Sequence, residues 1–363
     1  MHHASARTAI TRILAGEGFG EQALALVHAA CLSSIPGFDE ALHDTMLARS
    51  LAMASDAAGE TAGAPALAVP TTPEELCTRL APAIAANPAQ IGLQLACLHA
   101  LAELWPHVAS HERPRLLQRF LASAASRQAP TASMVTVAQL RNWARDLPTC
   151  SGDVRPSVAS LKGLLNESQP NLAYRILAEH LGCEMDLATL SWVLGALGVQ
   201  VLLQVRDPAG IAAMTLAGTV ASERLTGLVP PEIHAALVSQ LAHQLWWCRN
   251  RAGLPQIRGC LDTTQRPFAE AISSGDITGA QRAARAASTR PEGFWTATWE
   301  QLSAAINLDD RAWLRAVTIV TATAWRAGDA ALAPDDAAAF GGVLADLRYH
   351  ASELTPRALH ALV

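Results

Sequence analysis

The sequence predicts an all-α protein, and three observations carry that prediction. Apolar residues recur at positions i, i+3, i+4 and i+7 in many segments, whereas sustained alternation of apolar and polar residues is almost absent. Helix starts are well marked, because Thr72 precedes Pro73 and two acids, and Pro231 precedes Glu232 in the same manner. A helical hairpin also occurs twice in the chain.

The repeated hairpin reads NPAQIGLQLACLHALAELWPHV from Asn87 and DPAGIAAMTLAGTVASERLTGLV from Asp207, an offset of 120 residues. Each copy opens with Asn or Asp followed by Pro-Ala, continues through an apolar helix and ends in a turn. A second pair of segments, around His28 and His180, is offset by 152 residues, and both members read H-x-x-C. This pattern predicts two degenerate repeat halves, each a pair of helical hairpins.

The predicted organisation has three parts. Residues 1–150 form a first all-α half, in which the Ala-, Gly- and Pro-rich residues 57–73 are a flexible linker. A second break from Pro148 to Pro156 leads into the second half, residues 151–261, and residues 262–363 form a C-terminal helical segment packed on both halves.

Two segments test the helical periodicity in detail. In RLLQRFLASAA, residues 115–125, the spacing places Leu116 and Phe120 on the core face and Arg119 outside. The longest apolar run, residues 187–205, is interrupted by Gln200 and two glycines. We therefore predict a buried central helix there and no membrane span.

Composition excludes several classes of function. The chain has 363 residues, of which 50% are hydrophobic and 16% charged, with a net charge of -5. Charges of both signs are mixed along its length, so no basic stripe is present to bind nucleic acid. Lys162 is the only lysine and follows no glycine-rich loop. No G-x-S-x-G motif and no G-x-G-x-x-G after a strand occurs, which argues against a serine hydrolase and a Rossmann dinucleotide site.

The seven cysteines are dispersed, with no C-x-x-C pair. An odd and scattered set within apolar helices indicates buried thiols in a reducing compartment. The first 20 residues lack the apolar segment of a secretory signal. We therefore expect a cytoplasmic protein; its oligomeric state is left open.

Histidines are the first candidates for chemistry, because an all-α protein builds sites from inward-facing side chains on neighbouring helices. His28 lies in an apolar run and His180 occupies the related place in the second half, so both are candidate catalytic residues. The alternative is two buried core histidines. His99 and Glu103 are spaced i, i+4, which we interpret as a pair that supports its helix. His107 and His111 fall in the turn after the first repeated helix.

Tryptophans supply the candidate substrate-binding residues. The chain has nine, and most lie in the last third of the sequence. Their helical spacing is that of core residues, but flat aromatic faces also line pockets for planar ligands. The candidates are Trp246, Trp247 and Trp313, with His243 beside the first two.

Three segments resemble the questin oxidase-like proteins. They are the hairpin from Asn87, the segment around His28 with its acidic continuation at Asp39, and the segment from Ser273 to Ala287. The resemblance implies oxidative cleavage of, or oxygen insertion into, anthraquinone-type polyketides. Some members of that family are thought to hold a non-haem iron with several histidines and a modified lysine.

Most of the family's ligand positions are not matched in this chain. The hairpin histidine falls on Leu93 in one copy and Ala213 in the other, and the C-terminal helix carries Asp276 where the family has an acidic residue. Only His28, with His180 as its counterpart, stands where the resemblance requires a ligand. Iron needs several nitrogen or oxygen ligands facing one point, so the cofactor is left unknown.

We expect an oxidoreductase of the oxygenase type that acts on a bulky aromatic metabolite in secondary metabolism. Its pocket would lie between the two halves, with His28 and His180 moving a proton or binding a ligand. The alternative is a catalytically silent helical-repeat protein that binds a partner. Small apolar or aromatic molecules are the expected partners, and nucleic acid and membrane are not.

Overall fold

The protein is built from α-helices, as predicted. The computed structural model describes residues 3–15, 21–32, 69–86, 90–126, 163–166, 187–206, 210–250, 266–290, 294–295, 298, 310–327 and 333–353. The main helices are α1 (His3–Ala15), α2 (Glu21–Leu32), α3 (Pro73–Ala86), α4 (Ile91–Leu104), α5 (Arg113–Ser126), α6 (Leu187–Gln204), α7 (Ile211–Arg224), α8 (Pro231–Asn250), α9 (Phe268–Ser273), α10 (Ile277–Ala287), α11 (Asp310–Ala327) and α12 (Pro334–Glu353).

The two repeated helices, α4 and α7, pack against each other at the centre of the described structure. Their contact is made through two glycines, because a Cβ at Gly92 would lie 2.5 Å from the carbonyl oxygen of Met214, and a Cβ at Gly218 would meet the backbone of Gly92. The backbone N–H of Gly92 also donates a hydrogen bond of 3.0 Å to Oε1 of Gln244 on α8. Close packing of backbone on backbone thus fixes the distance between the two helices.

Both repeated helices begin in the same way. Gln90 precedes α4 with φ 52° and ψ 45°, and Gly210 precedes α7 with φ 69° and ψ 14°, so each stands in the left-handed region. The two positions are 120 residues apart, which is the offset found in the sequence, and each helix is 14 residues long. The two hairpins share this local geometry, and the duplication of whole halves stays a prediction.

The remaining helices surround this central pair. Helices α2 and α3 pack on α4, whereas α6, α8 and α11 pack on α7. Apolar side chains form two clusters: a first core among α1 to α5 that takes in one side of α7 and α8, and a second core among α6 to α12. Helix α10 packs along α12 in the second core.

The helix starts predicted from Pro73 and Pro231 are confirmed. Thr72 Oγ1 accepts a hydrogen bond of 3.2 Å from the backbone N–H of Glu75, and the Glu75 carboxylate accepts one from the N–H of Thr71. This reciprocal arrangement resembles a capping box, with Glu75 reaching the residue before the N-cap Thr72, and it satisfies backbone donors at the start of the helix. Hydrogen bonds from Thr71 lower the pKa of Glu75.

One residue of the predicted solvent face is buried. Arg119 was expected outside α5, but it is 2% exposed. It lies three residues after Leu116, so it stands one turn along the same apolar face, and its aliphatic stem can pack there. The prediction was wrong because it gave weight to the charge and too little to the spacing.

The apolar run from residue 187 forms helix α6, as expected. Ten of its residues are buried, and it contacts α7, α8 and α12. Within the described residues, α6 is the one helix whose length and hydropathy would suffice to cross a membrane, and 56% of that stretch is buried inside the protein. Residues 57–68 of the predicted linker and the break from Pro148 to Pro156 lie outside the described residues, so the three-part division stays a prediction.

Candidate functional site

Two buried histidines from different helices meet the same tryptophan. His28 on α2 and His99 on α4 approach the indole ring of Trp325 on α11, with ring centroids 5.2 and 5.0 Å away. The interplanar angles are 87° and 89°, so both imidazoles are perpendicular to the indole plane. Perpendicular contacts of this kind are favourable between aromatic rings. We call these three residues, with Glu103 and Arg224, the imidazole site.

His28 is the most deeply buried member of the site. It is 1% exposed, and neither ring nitrogen has a hydrogen-bond partner among the described residues. Burial and, to a smaller extent, the nearby His99 together lower its pKa to about 3. The ring is therefore neutral at physiological pH and holds two unused hydrogen-bonding positions, each of which costs stability in a dry interior.

His99 is paired with a carboxylate on one side only. Its Nε2 lies 3.4 Å from Oε1 of Glu103, one helical turn further along α4, while its buried Nδ1 has no hydrogen-bond partner among the described residues. The predicted i, i+4 pair is thus confirmed. The hydrogen bond from His99 lowers the pKa of Glu103, so the carboxylate is ionised at neutral pH. A carboxylate at Nε2 favours the tautomer with a proton there, which leaves Nδ1 with its lone pair.

Arg224 extends the site towards solvent. The guanidinium carbon of Arg224 lies 5.2 Å from the centre of the Trp325 ring, a cation–π distance. Its positive charge lowers the pKa of Glu103, in addition to the effect of His99. Trp325 is partly buried and Arg224 is exposed, and the indole contacts the guanidinium as well as the two buried imidazoles.

The second repeated helix carries the same carboxylate without the imidazole. Glu223 on α7 lies 120 residues after Glu103, and Thr219 stands where α4 has His99. Burial raises the pKa of Glu223, although Arg326 and Arg224 act against that shift. The pKa values of these two matched carboxylates are therefore shifted in opposite directions. The hydrogen bond from His99 is the largest cause of the lowering at Glu103. Of the two repeated helices, α4 therefore carries the imidazole–carboxylate pair and α7 does not.

The described residues do not fit the iron that the family resemblance implies. Cys31 lies one turn after His28, but burial raises the pKa of its thiol to about 12, so it is protonated and a poor ligand. No three His, Cys, Asp or Glu side chains in the described ranges are grouped so as to hold a metal ion. The imidazole site offers two histidines and a carboxylate already paired with one of them.

The other predicted site residues fall in different places. His180 lies outside the described residues, as does the side chain of Trp313. Trp246 belongs to the second core, where it stacks on His243 with ring centroids 5.8 Å apart, and Trp247 packs beside that core. Burial lowers the pKa of His243 to about 4. His28 belongs instead with the residues around the first core.

The family positions carried over from the resemblance have structural roles. Asp276 is the N-cap of α10, because its Oδ1 accepts a hydrogen bond of 2.9 Å from the N–H of Gly279. Leu93 and Ala213, at the hairpin histidine position, are buried apolar residues in the packed helices. His107 closes the short 3₁₀ helix after α4 and His111 follows in the turn, as predicted.

Sequence reasoning missed His99 and Trp325 as members of a site. The i, i+4 spacing to Glu103 was visible, but a local pair carries no sign of what lies opposite it. Trp325 is 226 residues from His99 in the chain, and their contact depends on the packing of α11 beside α7. A buried histidine on each of two neighbouring helices was the available signal.

Comparison with known proteins identified no relative, because no family model, no curated protein and no solved structure matches the chain. The likeness to questin oxidase-like proteins therefore stays an expectation from short motifs.

Proposed function

We propose that the protein is an enzyme that removes a proton from a hydroxylated, largely apolar aromatic molecule at the imidazole site. The observation that carries this proposal is the state of His99, whose Nε2 faces the Glu103 carboxylate while its buried Nδ1 is unused among the described residues. A carboxylate beside one nitrogen of an imidazole, with the other nitrogen able to accept a proton, is an arrangement that supports general-base catalysis.

His99 is the base in this proposal. The substrate hydroxyl gives its proton to Nδ1, and the resulting imidazolium is stabilised by the ionised Glu103 at Nε2. Glu103 touches the base and not the substrate, so it is a positioning residue. Its lowered pKa keeps it charged at neutral pH.

His28 supplies the complementary hydrogen bond. A neutral imidazole donates from one nitrogen, and its low pKa keeps the ring uncharged, so it offers the substrate oxygen a hydrogen bond without itself taking up a proton. A donor fixed in a dry interior stabilises a developing oxyanion more strongly than water does. The unsatisfied nitrogens of His28 are thereby explained as groups reserved for a ligand.

The aromatic nature of the substrate is inferred from Trp325. This residue is partly buried and contacts both imidazoles and the exposed Arg224. Rotation of the indole would open a path to the imidazoles and present a flat face to a planar ligand. Arg224 would lie over the same face and attract an anionic aromatic ring system.

Dioxygen is the co-substrate that turns this proton transfer into an oxidation. Loss of the hydroxyl proton gives a phenolate, whose ring carbons carry part of the negative charge. Two ring electrons reduce dioxygen to the peroxide level as a carbon–oxygen bond forms, and the imidazolium of His99 returns its proton to the peroxide oxygen. The product is a ring hydroperoxide with a ketone in place of the hydroxyl group. Oxidation rests on the family resemblance, and proton removal rests on the geometry.

The test uses 2-hydroxyanthraquinone, whose absorption band moves to longer wavelength when its hydroxyl ionises. We expect the bound probe to ionise about one pH unit lower than the free probe, because a tenfold change in the equilibrium is within the reach of one charged hydrogen bond. His99→Gln should abolish that shift, and Glu103→Gln should reduce it. Absorption is followed across a pH titration of each variant.

His111→Gln is the matched control, since it removes an exposed histidine from the turn after α4. Glu103 is 45% exposed, so its substitution keeps the test valid even where a variant of buried His99 fails to fold. Equal ionisation of the probe in wild type, His99→Gln and Glu103→Gln would refute the proposal. It would favour the alternative of a catalytically silent helical-repeat protein.

A further inference from the structure

A second buried histidine lies at the end of a chain of hydroxyl groups, away from the imidazole site. Ser191 on α6 and Ser222 on α7 have their Oγ atoms 2.9 Å apart, and Ser222 Oγ is 2.9 Å from Nε2 of His234 on α8. All three side chains are buried. The chain therefore joins three helices by two hydrogen bonds in the interior.

His234 also lines a pocket with a volume of about 320 Å³. The walls come from α3, from the start of α6, from the turn between α7 and α8 and from the start of α8. The turn is shaped by Gly227, whose φ of +83° is in the left-handed region, and the space beside its Cα is open. The lining residues are Glu74, Thr78, Leu187, Thr226, Gly227, Leu228, Val229, Pro230, Pro231 and His234.

Ser222 is not positioned to act as a nucleophile in this hydrogen-bonded network. Ser222 Oγ stands at hydrogen-bond distance from an imidazole, as a nucleophile would, but Ser222 is 0% exposed. An electrophile must approach the attacking oxygen along an open path. His234 is the member of the chain that reaches the pocket.

We propose that this pocket binds a small neutral alcohol or phenol, which hydrogen-bonds to Nδ1 of His234. Ser222 engages Nε2, so Nδ1 is the ring nitrogen left for a ligand. Hydroxyl groups can each donate or accept, so the two serines can reverse the direction of the chain and let Nδ1 either donate or accept. A ligand hydroxyl has the same freedom and matches both states.

The residues that line the pocket indicate the size, polarity and charge of the rest of the ligand. Leucine, valine and proline side chains dominate them, which favours an apolar body of one or two rings in a pocket of this size. Glu74 is the charged side chain of the lining and stands exposed, so it disfavours an anionic ligand. Burial lowers the pKa of His234, which keeps the imidazole neutral and removes an attraction for anions.

The experiment measures binding of 2-naphthol, naphthalene and 2-naphthoate by titration calorimetry. We expect 2-naphthol to bind roughly tenfold more tightly than naphthalene, the worth of one net hydrogen bond. We expect 2-naphthoate to bind more weakly than 2-naphthol. Thr78→Trp, at an exposed position of the lining, should fill the pocket and abolish binding of 2-naphthol there, while leaving its binding at the imidazole site.

Ala83→Trp is the matched control, because it places the same indole at an exposed position of α3 that does not line the pocket. His28→Gln should leave the 2-naphthol affinity of this pocket unchanged while it alters binding at the imidazole site, which separates the two sites. Unaltered 2-naphthol affinity in Thr78→Trp would overturn the proposal. So would naphthalene binding as tightly as 2-naphthol, since that result shows apolar partition without recognition by His234.

Discussion

Replacing Gly92 by alanine is expected to destabilise the protein by about 3 kcal/mol, at the upper end of the cost of overpacking a core. The new Cβ would lie 2.5 Å from the Met214 carbonyl oxygen and 2.7 Å from the Thr215 Cα. Both are backbone atoms of α7, so no side chain can rotate away and the two central helices must separate. Urea unfolding followed by circular dichroism measures the loss.

Gly198→Ala is the matched control on α6. A Cβ there would meet side-chain atoms of Leu216 and Leu245 at 3.4 and 3.5 Å, which is ordinary contact. Alanine is favoured over glycine within a helix by about 1 kcal/mol, so this variant should be as stable as wild type or more so. If Gly92→Ala proved equally benign, α4 and α7 would not be packed backbone to backbone.

Acidification should destabilise the protein through His28 by about 2 kcal/mol between pH 7.5 and pH 5. The folded-state pKa of about 3 is below the unfolded value, so the unfolded chain binds the proton first. Stability from this group is complete above about pH 6.5 and is lost as pH falls towards the folded-state pKa. His234 and His243, whose pKa values are also lowered by burial, add to the same trend.

His28→Leu isolates the contribution of this one residue. Leucine removes two buried nitrogens that lack partners among the described residues, so the variant should match or exceed wild-type stability at pH 7.5. Its loss of stability by pH 5 should be smaller than that of wild type by about 2 kcal/mol. His111→Leu, at an exposed site, should keep the wild-type pH dependence. An unchanged pH dependence in His28→Leu would show that His28 is not held neutral.

The helical class and the helix starts could be predicted because they depend on neighbouring residues. Thr72 with Glu75 specifies a capping box by spacing alone, and the apolar period of α6 specifies a helix wherever it packs. Arg119 shows the limit, since its spacing places it on the apolar face of α5 whereas its charge favours the solvent face, and the buried position is the one adopted. The repeated hairpins can be recognised from their sequence similarity. Their direct contact through Gly92 and Gly218 depends on the packing of distant segments.

The candidate site could be predicted only in part for the same reason. His28 stood out because an imidazole in an apolar run needs an explanation. The sequence indicates only a local i, i+4 pair for His99 and Glu103, and it does not distinguish Trp325 from the other tryptophans in the last third of the chain. These side chains converge because α2, α4 and α11 pack together in the tertiary structure. No spacing in the sequence predicts that contact.

The most direct measurement of the central proposal is the protonation of the His99 ring nitrogens, by long-range proton–nitrogen NMR on protein labelled with ¹⁵N-histidine. Before ligand is added at pH 7, we predict a proton on Nε2 facing Glu103 and none on Nδ1. Addition of 2-hydroxyanthraquinone should move the Nδ1 resonance towards that of a protonated nitrogen as the phenolate band appears. A bound probe that leaves the Nδ1 resonance unchanged would contradict the role of His99 as the base.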